Sequence, residues 1–304
     1  MTMNAERLTA RLTRGEIVLL DGALGTELER RGTSTRLPLW SGQGLLDAPE
    51  RIRDIHKEYA RAGADVLTAA TFRTTPRTLG KLGLAAEADR LTTLAVALAR
   101  EAIDEAGTNR EHWVAGSIAP LEDCYRPDLA PPPDVAEREH ADQAARLRHA
   151  GADLILLETM NNVAEAVAAA RGAKRCGLPF WVSFIAGGPD SILSGERLEA
   201  AVDAVEAEGP DAVLVNCTPL DQLDSCLQIL ARSTRLPRGC YPNLGAPDLA
   251  SGSWRFDPEA TPSRFAAAAA DWLRTGIQII GGCCGTGPAH IASLRASLPL
   301  VILE

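Results

Sequence analysis

The chain has 304 residues, 46% of them apolar and only 4% aromatic, and carries a formal net charge of −9. An α/β barrel routinely runs this long as one unit, whereas the acidic balance argues against sequence-independent nucleic-acid binding, which needs a basic face. No apolar run approaches the roughly 20 residues that cross a bilayer.

The polar start MTMNAERLTARLTRGE lacks the apolar stretch of a secretory signal. Seven scattered cysteines do not read as a disulfide framework. The expectation is a cytoplasmic protein with reduced thiols and neither a membrane nor a nucleic-acid partner.

In chain order, the first strand is read at Ile17–Leu20. A helical pattern over 49–63 ends in AGADVL (62–67), a glycine followed by a β-branched apolar run, which gives the second strand. The pattern over 91–107 leads to a strand at Trp113–Ile118, and that over 135–151 to AGADLI (150–155). Helix 162–177 precedes Pro179–Phe184, and helix 196–209 precedes EGPDAV (208–213). Gly239–Pro242 is the seventh strand, and helix 262–276 runs into the eighth through TGIQII (275–280).

Glycine just past a helix is the favoured left-handed cap, so each such phrase marks a helix-to-strand junction. Short apolar strands alternating with helices imply a parallel sheet buried on both faces. Eight units predict a single closed (β/α)8 barrel, the TIM barrel, over residues 1–304, with an open doubly wound sheet as the alternative. The loops after strands one, three and seven are long, among them LEDCYRPDLAPPPD (121–134) and LGAPDLASGSWRFDPEATP (244–262). Long loops inside a compact domain are usually functional.

Polar residues just beyond strand ends are the catalytic candidates of a barrel. Here these are Asp21 and Gly22, Thr71, Ser117, Glu158 and Thr159, Asn216 and Cys217, Asn243, and the adjacent Cys283 and Cys284. Three thiols thus converge on one face. Zinc takes thiolate at about 2.3 Å, and three protein ligands with one open position describe a catalytic zinc site. Neighbours in an extended chain point opposite ways, so Gly281, Gly282 and Gly285 are read as letting the backbone bend until both thiols face one metal.

Cys124, Cys176, Cys226 and Cys240 are read as packing residues, and the five histidines as packed or solvated. A rival reading uses GGCCGTGPAH (281–290) as a phosphate loop opening a helix near Pro288, making the chain a phosphate-binding barrel lyase or isomerase. It leaves the paired cysteines unexplained.

DGALGTELERRG (21–32), LLETM (156–160), VNCTP (215–219) and GGCCGTGPAHI (281–291) resemble the homocysteine S-methyltransferase family, as do the intervening blocks PLWSGQGLLDAPE (38–50), IHKEYARAGAD (55–65) and FWVSFIAGGPDSILSGERL (180–198). The resemblance covers nearly the whole chain. It implies a barrel whose zinc is held by Cys217, Cys283 and Cys284, with the homocysteine sulfur in the fourth position. It also implies that Asp21 and Glu158 bind the amino acid, with Gly22, Thr71 and Asn216 close by. In many relatives an acidic or amide residue precedes the Thr71-Phe72 pair, where this chain has Thr68-Ala69-Ala70.

A site with three thiolates favours a cationic methyl donor. A small sulfonium, S-methylmethionine first and S-adenosylmethionine second, leaves as a neutral thioether and needs no general acid. Trp40, Phe72, Tyr125 and Trp254 are candidate cation contacts, and Glu122 and Asp123 are read as a possible source of added negative potential.

Overall fold

Gly63, Gly151, Gly209 and Gly276, the four junction glycines, have φ of +103°, +90°, +82° and +84°, a region where a Cβ meets the following carbonyl. Each turns the chain from a helix into a strand. In the computed structural model, which describes residues 3–248 and 253–298, those strands are β2 (Val66–Ala69), β4 (Leu154–Met160), β6 (Ala212–Pro219) and β10 (Ile279–Ile280). Between them lie β1 (Val18–Leu19), β3 (Trp113–Ile118), β5 (Phe180–Ile185) and β7 (Arg238–Asn243).

All eight pair in parallel, in the order β1-β10-β7-β6-β5-β4-β3-β2. The ring closes where Leu20 bridges Val66 and the Asp21 N–H donates to the Val66 carbonyl at 3.0 Å. This is the barrel, not the open sheet.

Strand alternation divides the core in two. Trp113, Leu154, Leu156, Trp181, Leu214 and Ile279 fill the barrel, while Val114, Ile155, Leu157, Val182 and Val213 face the helices. The side chains on both faces are buried, as expected of parallel strands covered by helices. The helix Met3–Thr13, which the polar N-terminal sequence did not suggest, adds Leu8 and Leu12 to the barrel interior. It lies at the N-terminal mouth, where Trp113 Nε1 donates to the Asn4 carbonyl at 2.8 Å. Each buried leucine contributes about 2 kcal/mol. That end is sealed, and chemistry is left to the other.

A second departure from expectation lies in the long loop after β7. It folds back as an antiparallel hairpin, β8 (Ala246–Asp248) with β9 (Ser253–Arg255). Trp254 Nε1 donates to the Leu244 carbonyl at 3.0 Å, tying this hairpin to the strand end. No helix among the described residues is long and apolar enough to cross a membrane.

Candidate metal centre

Cys217 follows Asn216 on β6 with φ +49°, a left-handed value that a residue with a Cβ adopts only at a cost. There the register of β6 against β7 shifts between Asn216 and Pro219, and such a bulge re-aims a side chain. Cys283 and Cys284 stand just past β10. Gly285 has φ +87°, and a Cβ on it would lie 2.0 Å from the Leu244 oxygen. Its freedom bends the chain, as the sequence suggested. Gly281 and Gly282 serve differently: their φ is ordinary, but a Cβ would sit 2.5 Å from Leu20 Cβ and 2.4 Å from Thr286 Oγ1 respectively. They permit close packing rather than a bend.

The sulfurs of Cys217, Cys283 and Cys284 lie within 4.8 Å of one another, with Cys217 and Cys283 2.7 Å apart. Contacts from Cys217 and then Cys284 push the Cys283 thiol well below its ordinary range, while contacts with Cys283 and then Cys284 push the Cys217 thiol up. Tetrahedral bonds of about 2.3 Å to zinc set sulfurs about 3.8 Å apart. Cys217 and Cys283 stand closer than that, and it is the chemistry of three soft thiolates grouped within 4.8 Å that suits such an ion. Among the described residues no fourth histidine, cysteine or carboxylate joins the group. The site is therefore open on one side, unlike a structural zinc site. Cys240 points into the outer core, and Cys176 and Cys226 are buried on helices. Cys124 departs from simple packing, because it lines the cavity beside the three thiols although it is itself buried.

That cavity holds about 180 Å³. Asp21 enters it from the end of β1 and accepts from both the Thr68 N–H and the Thr68 hydroxyl at 2.8 Å. Glu158 enters at a second bulge, between Leu157 and Met160 of β4. It accepts from the Ser117 hydroxyl and, at 3.5 Å, from the Tyr241 hydroxyl. Burial pushes Asp21 up to about 7; burial and then the Cys283 charge push Glu158 up to about 8. His56 Nδ1 lies 3.9 Å from Asp21, but burial lowers its pKa to about 4 and leaves it neutral. Glu29 adds an exposed carboxylate to the lining, and among the described residues the lining includes no lysine, arginine or histidine.

Aromatic side chains line the same cavity. Trp40 meets Phe72 edge-on at 5.9 Å and Tyr125 at 6.3 Å, and Trp254 also lines the cavity. Glu122 is engaged by Arg77 and Lys81 at 3.0 and 2.6 Å, and Asp123 accepts from the Tyr125 N–H. Neither acid lines the cavity.

Of the residues singled out from sequence, Asp21, Gly22, Glu158 and the three cysteines line this space. Thr71 and Asn216 stand behind its wall. Thr71 donates to the Ser117 carbonyl at 2.8 Å, and the fully buried Asn216 amide is bonded to Thr159 and Ser183. Sequence reasoning missed Thr68 and Tyr241 as carboxylate partners. Tyr241 had a usable signal: it alternates with outward-facing Cys240, so it points into the barrel.

The phosphate-loop reading fails on hydrogen bonds. Every amide from Gly281 to Gly287 already donates, to Cys240 O, Asp21 O, Pro242 O, Asn243 Oδ1, Thr26 Oγ1, Cys283 O and His290 Nδ1 in turn. None is left for an anion.

A family model described as homocysteine S-methyltransferase matches residues 18–298. A homocysteine S-methyltransferase of Escherichia coli is 36% identical over 95% of this chain and 97% of its own length. YbgG, a homocysteine S-methyltransferase of Bacillus subtilis, is 33% identical over 92% of this chain and 94% of its own. The metallated form of the homocysteine methyltransferase MmuM from Escherichia coli superposes with a TM-score of 0.83 at 32% identity, covering 96% of this chain and 99% of that one.

Because Glu158 ionises near pH 8 when folded against an ordinary 4.5, its ionisation opposes folding. The contribution is intact below about pH 4.5 and is lost as pH rises toward 8. Glu158→Gln escapes that loss. In urea unfolding of the reduced protein at pH 8 it should exceed the parent by about 4 kcal/mol, with the gap narrowing toward pH 4.5. Equal stability of the two at pH 8 would show that Glu158 carries no such burden.

Proposed function

The chain belongs to the homocysteine S-methyltransferase family and is an enzyme of methyl transfer to homocysteine; we propose that it works through a zinc ion held by Cys217, Cys283 and Cys284, with a small sulfonium as donor. The observation that carries this reading is the convergence of three sulfurs within 4.8 Å on a cavity that also contains two buried carboxylates. Held by these three cysteines, zinc would lower the pKa of the homocysteine thiol so that its proton is released to solvent, leaving the sulfur as thiolate, the reactive form.

Asp21 and Glu158 receive the acceptor's ammonium. Both are costly to ionise in their buried positions, and a bound cation offsets that cost. Backbone N–H groups near Gly22 or Gly25 take the acceptor carboxylate. Thr68, Ser117 and Tyr241 fix the two acids from behind, and Thr71 and Asn216 hold the wall. Holding the acceptor against the donor methyl supplies much of the rate.

For the donor, three carboxylates with no basic side chain in the lining favour a cation. The faces of Trp40, Phe72, Tyr125 and Trp254 suit an onium group. A cavity of about 180 Å³ suits a small donor, and we place S-methylmethionine ahead of S-adenosylmethionine. As the methyl carbon bonds to the acceptor sulfur, its bond to the donor sulfur breaks and the electron pair stays on a neutral thioether. No proton is needed, in keeping with a lining without histidine.

Two measurements test this. Metal analysis of the reduced protein should find one zinc per chain, lost with Cys217→Ala, Cys283→Ala or Cys284→Ala and kept with Cys176→Ala; a metal-replete parent without zinc overturns the site. Methionine formation from homocysteine should then be fastest with S-methylmethionine and slower with S-adenosylmethionine at matched concentration. Faster turnover with betaine or methyltetrahydrofolate would overturn the donor and leave the metal site standing.

A further inference from the structure

Two residues with unusual backbone geometry touch at the centre of the site. Thr159 has φ +60° and Cys217 φ +49°, each at the bulge that ends its strand. A β-branched residue with positive φ is an outlier, and such conformations persist where the surroundings enforce them. Here the Thr159 hydroxyl reaches the Cys217 sulfur at 3.7 Å.

The direction of that contact is set by a buried chain of donors. Ser183 Oγ and the Thr159 N–H both donate to Asn216 Oδ1, at 2.7 and 2.9 Å. Two donors on one side settle which end of the amide is oxygen. Asn216 Nδ2 then donates to Thr159 Oγ1 at 2.9 Å. An amide nitrogen cannot accept, so the hydroxyl proton of Thr159 is left for the sulfur. Ser183, Asn216 and Thr159 are wholly buried, and water does not compete for these groups.

We propose that Thr159 is a positioning residue for the metal ligand Cys217, its hydroxyl aiming and polarising that sulfur through the Ser183–Asn216–Thr159 chain. This rests on the cysteine-bound metal proposed above. A hydrogen bond to a thiolate draws electron density from the sulfur and restricts its rotation. Groups that orient metal ligands in this way govern how tightly the metal is held.

The test uses the protein loaded with Co²⁺ in place of zinc, which reports sulfur-to-metal charge transfer in its near-ultraviolet spectrum. Thr159→Val keeps the shape and removes the hydroxyl; the sulfur lone pair then rises in energy, and the band should move to longer wavelength. Cobalt loss to a chelator should be about tenfold faster or more. Thr159→Ser should restore both. Thr159→Gly, which relieves the backbone strain, should behave as Thr159→Val does and covers the case in which the valine variant fails to fold. A folded Thr159→Val or Thr159→Gly protein with the parent's band and parent's rate of metal loss overturns the role, as does Thr159→Ser behaving like valine. A parent that takes up no cobalt overturns the metal reading instead.

Discussion

Holding three sulfur atoms within 4.8 Å of one another at the end of a barrel is a demand that regular strands cannot meet. Consecutive side chains on a strand point to opposite faces, and thiolates repel one another until a cation joins them. The backbone absorbs the demand. Cys217 adopts a left-handed conformation at a bulge, and Gly285 turns the chain after Cys284 with no room for a Cβ beside Leu244. Gly281 and Gly282 let β1 and Thr286 approach. Asn243 secures both halves: its amide nitrogen donates to the Cys217 carbonyl at 2.9 Å and its oxygen accepts from the Cys284 N–H at 3.1 Å.

The same end of the barrel gathers acidic groups and buries two of them. Burial raises Asp21 and Glu158 toward neutrality; an ammonium placed between them, as proposed, would draw both acids into their ionised forms. The strain at Thr159 and Cys217 and the cost of these buried acids belong to one design, in which stability is given up locally to keep polar groups aimed at a small cavity. The sealed N-terminal mouth, with Leu8, Leu12 and Trp113, supplies stability away from the chemistry.

Much of this was legible in the sequence because it rests on short-range rules. The junction glycines announced their left-handed caps, and the apolar runs after them announced buried strands, so the barrel and the strand-end positions of Asp21, Glu158, Cys217, Cys283 and Cys284 followed. What stayed hidden depends on contacts between distant segments. Nothing local marks Thr159 for a positive φ, since threonine ordinarily avoids it. Thr68 pairs with Asp21 across 47 positions of sequence, and Tyr241 reaches Glu158 across 83. The N-terminal helix escaped notice because Leu8 and Leu12 are sparse in a polar stretch, and Thr71 and Asn216 were near enough to the strand ends to be counted with the lining.

On the proposed reading, the sulfur of homocysteine takes the open position beside the three cysteine sulfurs. X-ray absorption fine structure at the zinc edge tests it most directly, because it counts sulfur neighbours. The resting enzyme should give three sulfurs at about 2.3 Å and one lighter atom, and saturation with homocysteine should give four sulfurs at that distance. A count that stays at three with homocysteine bound would place the acceptor sulfur off the metal.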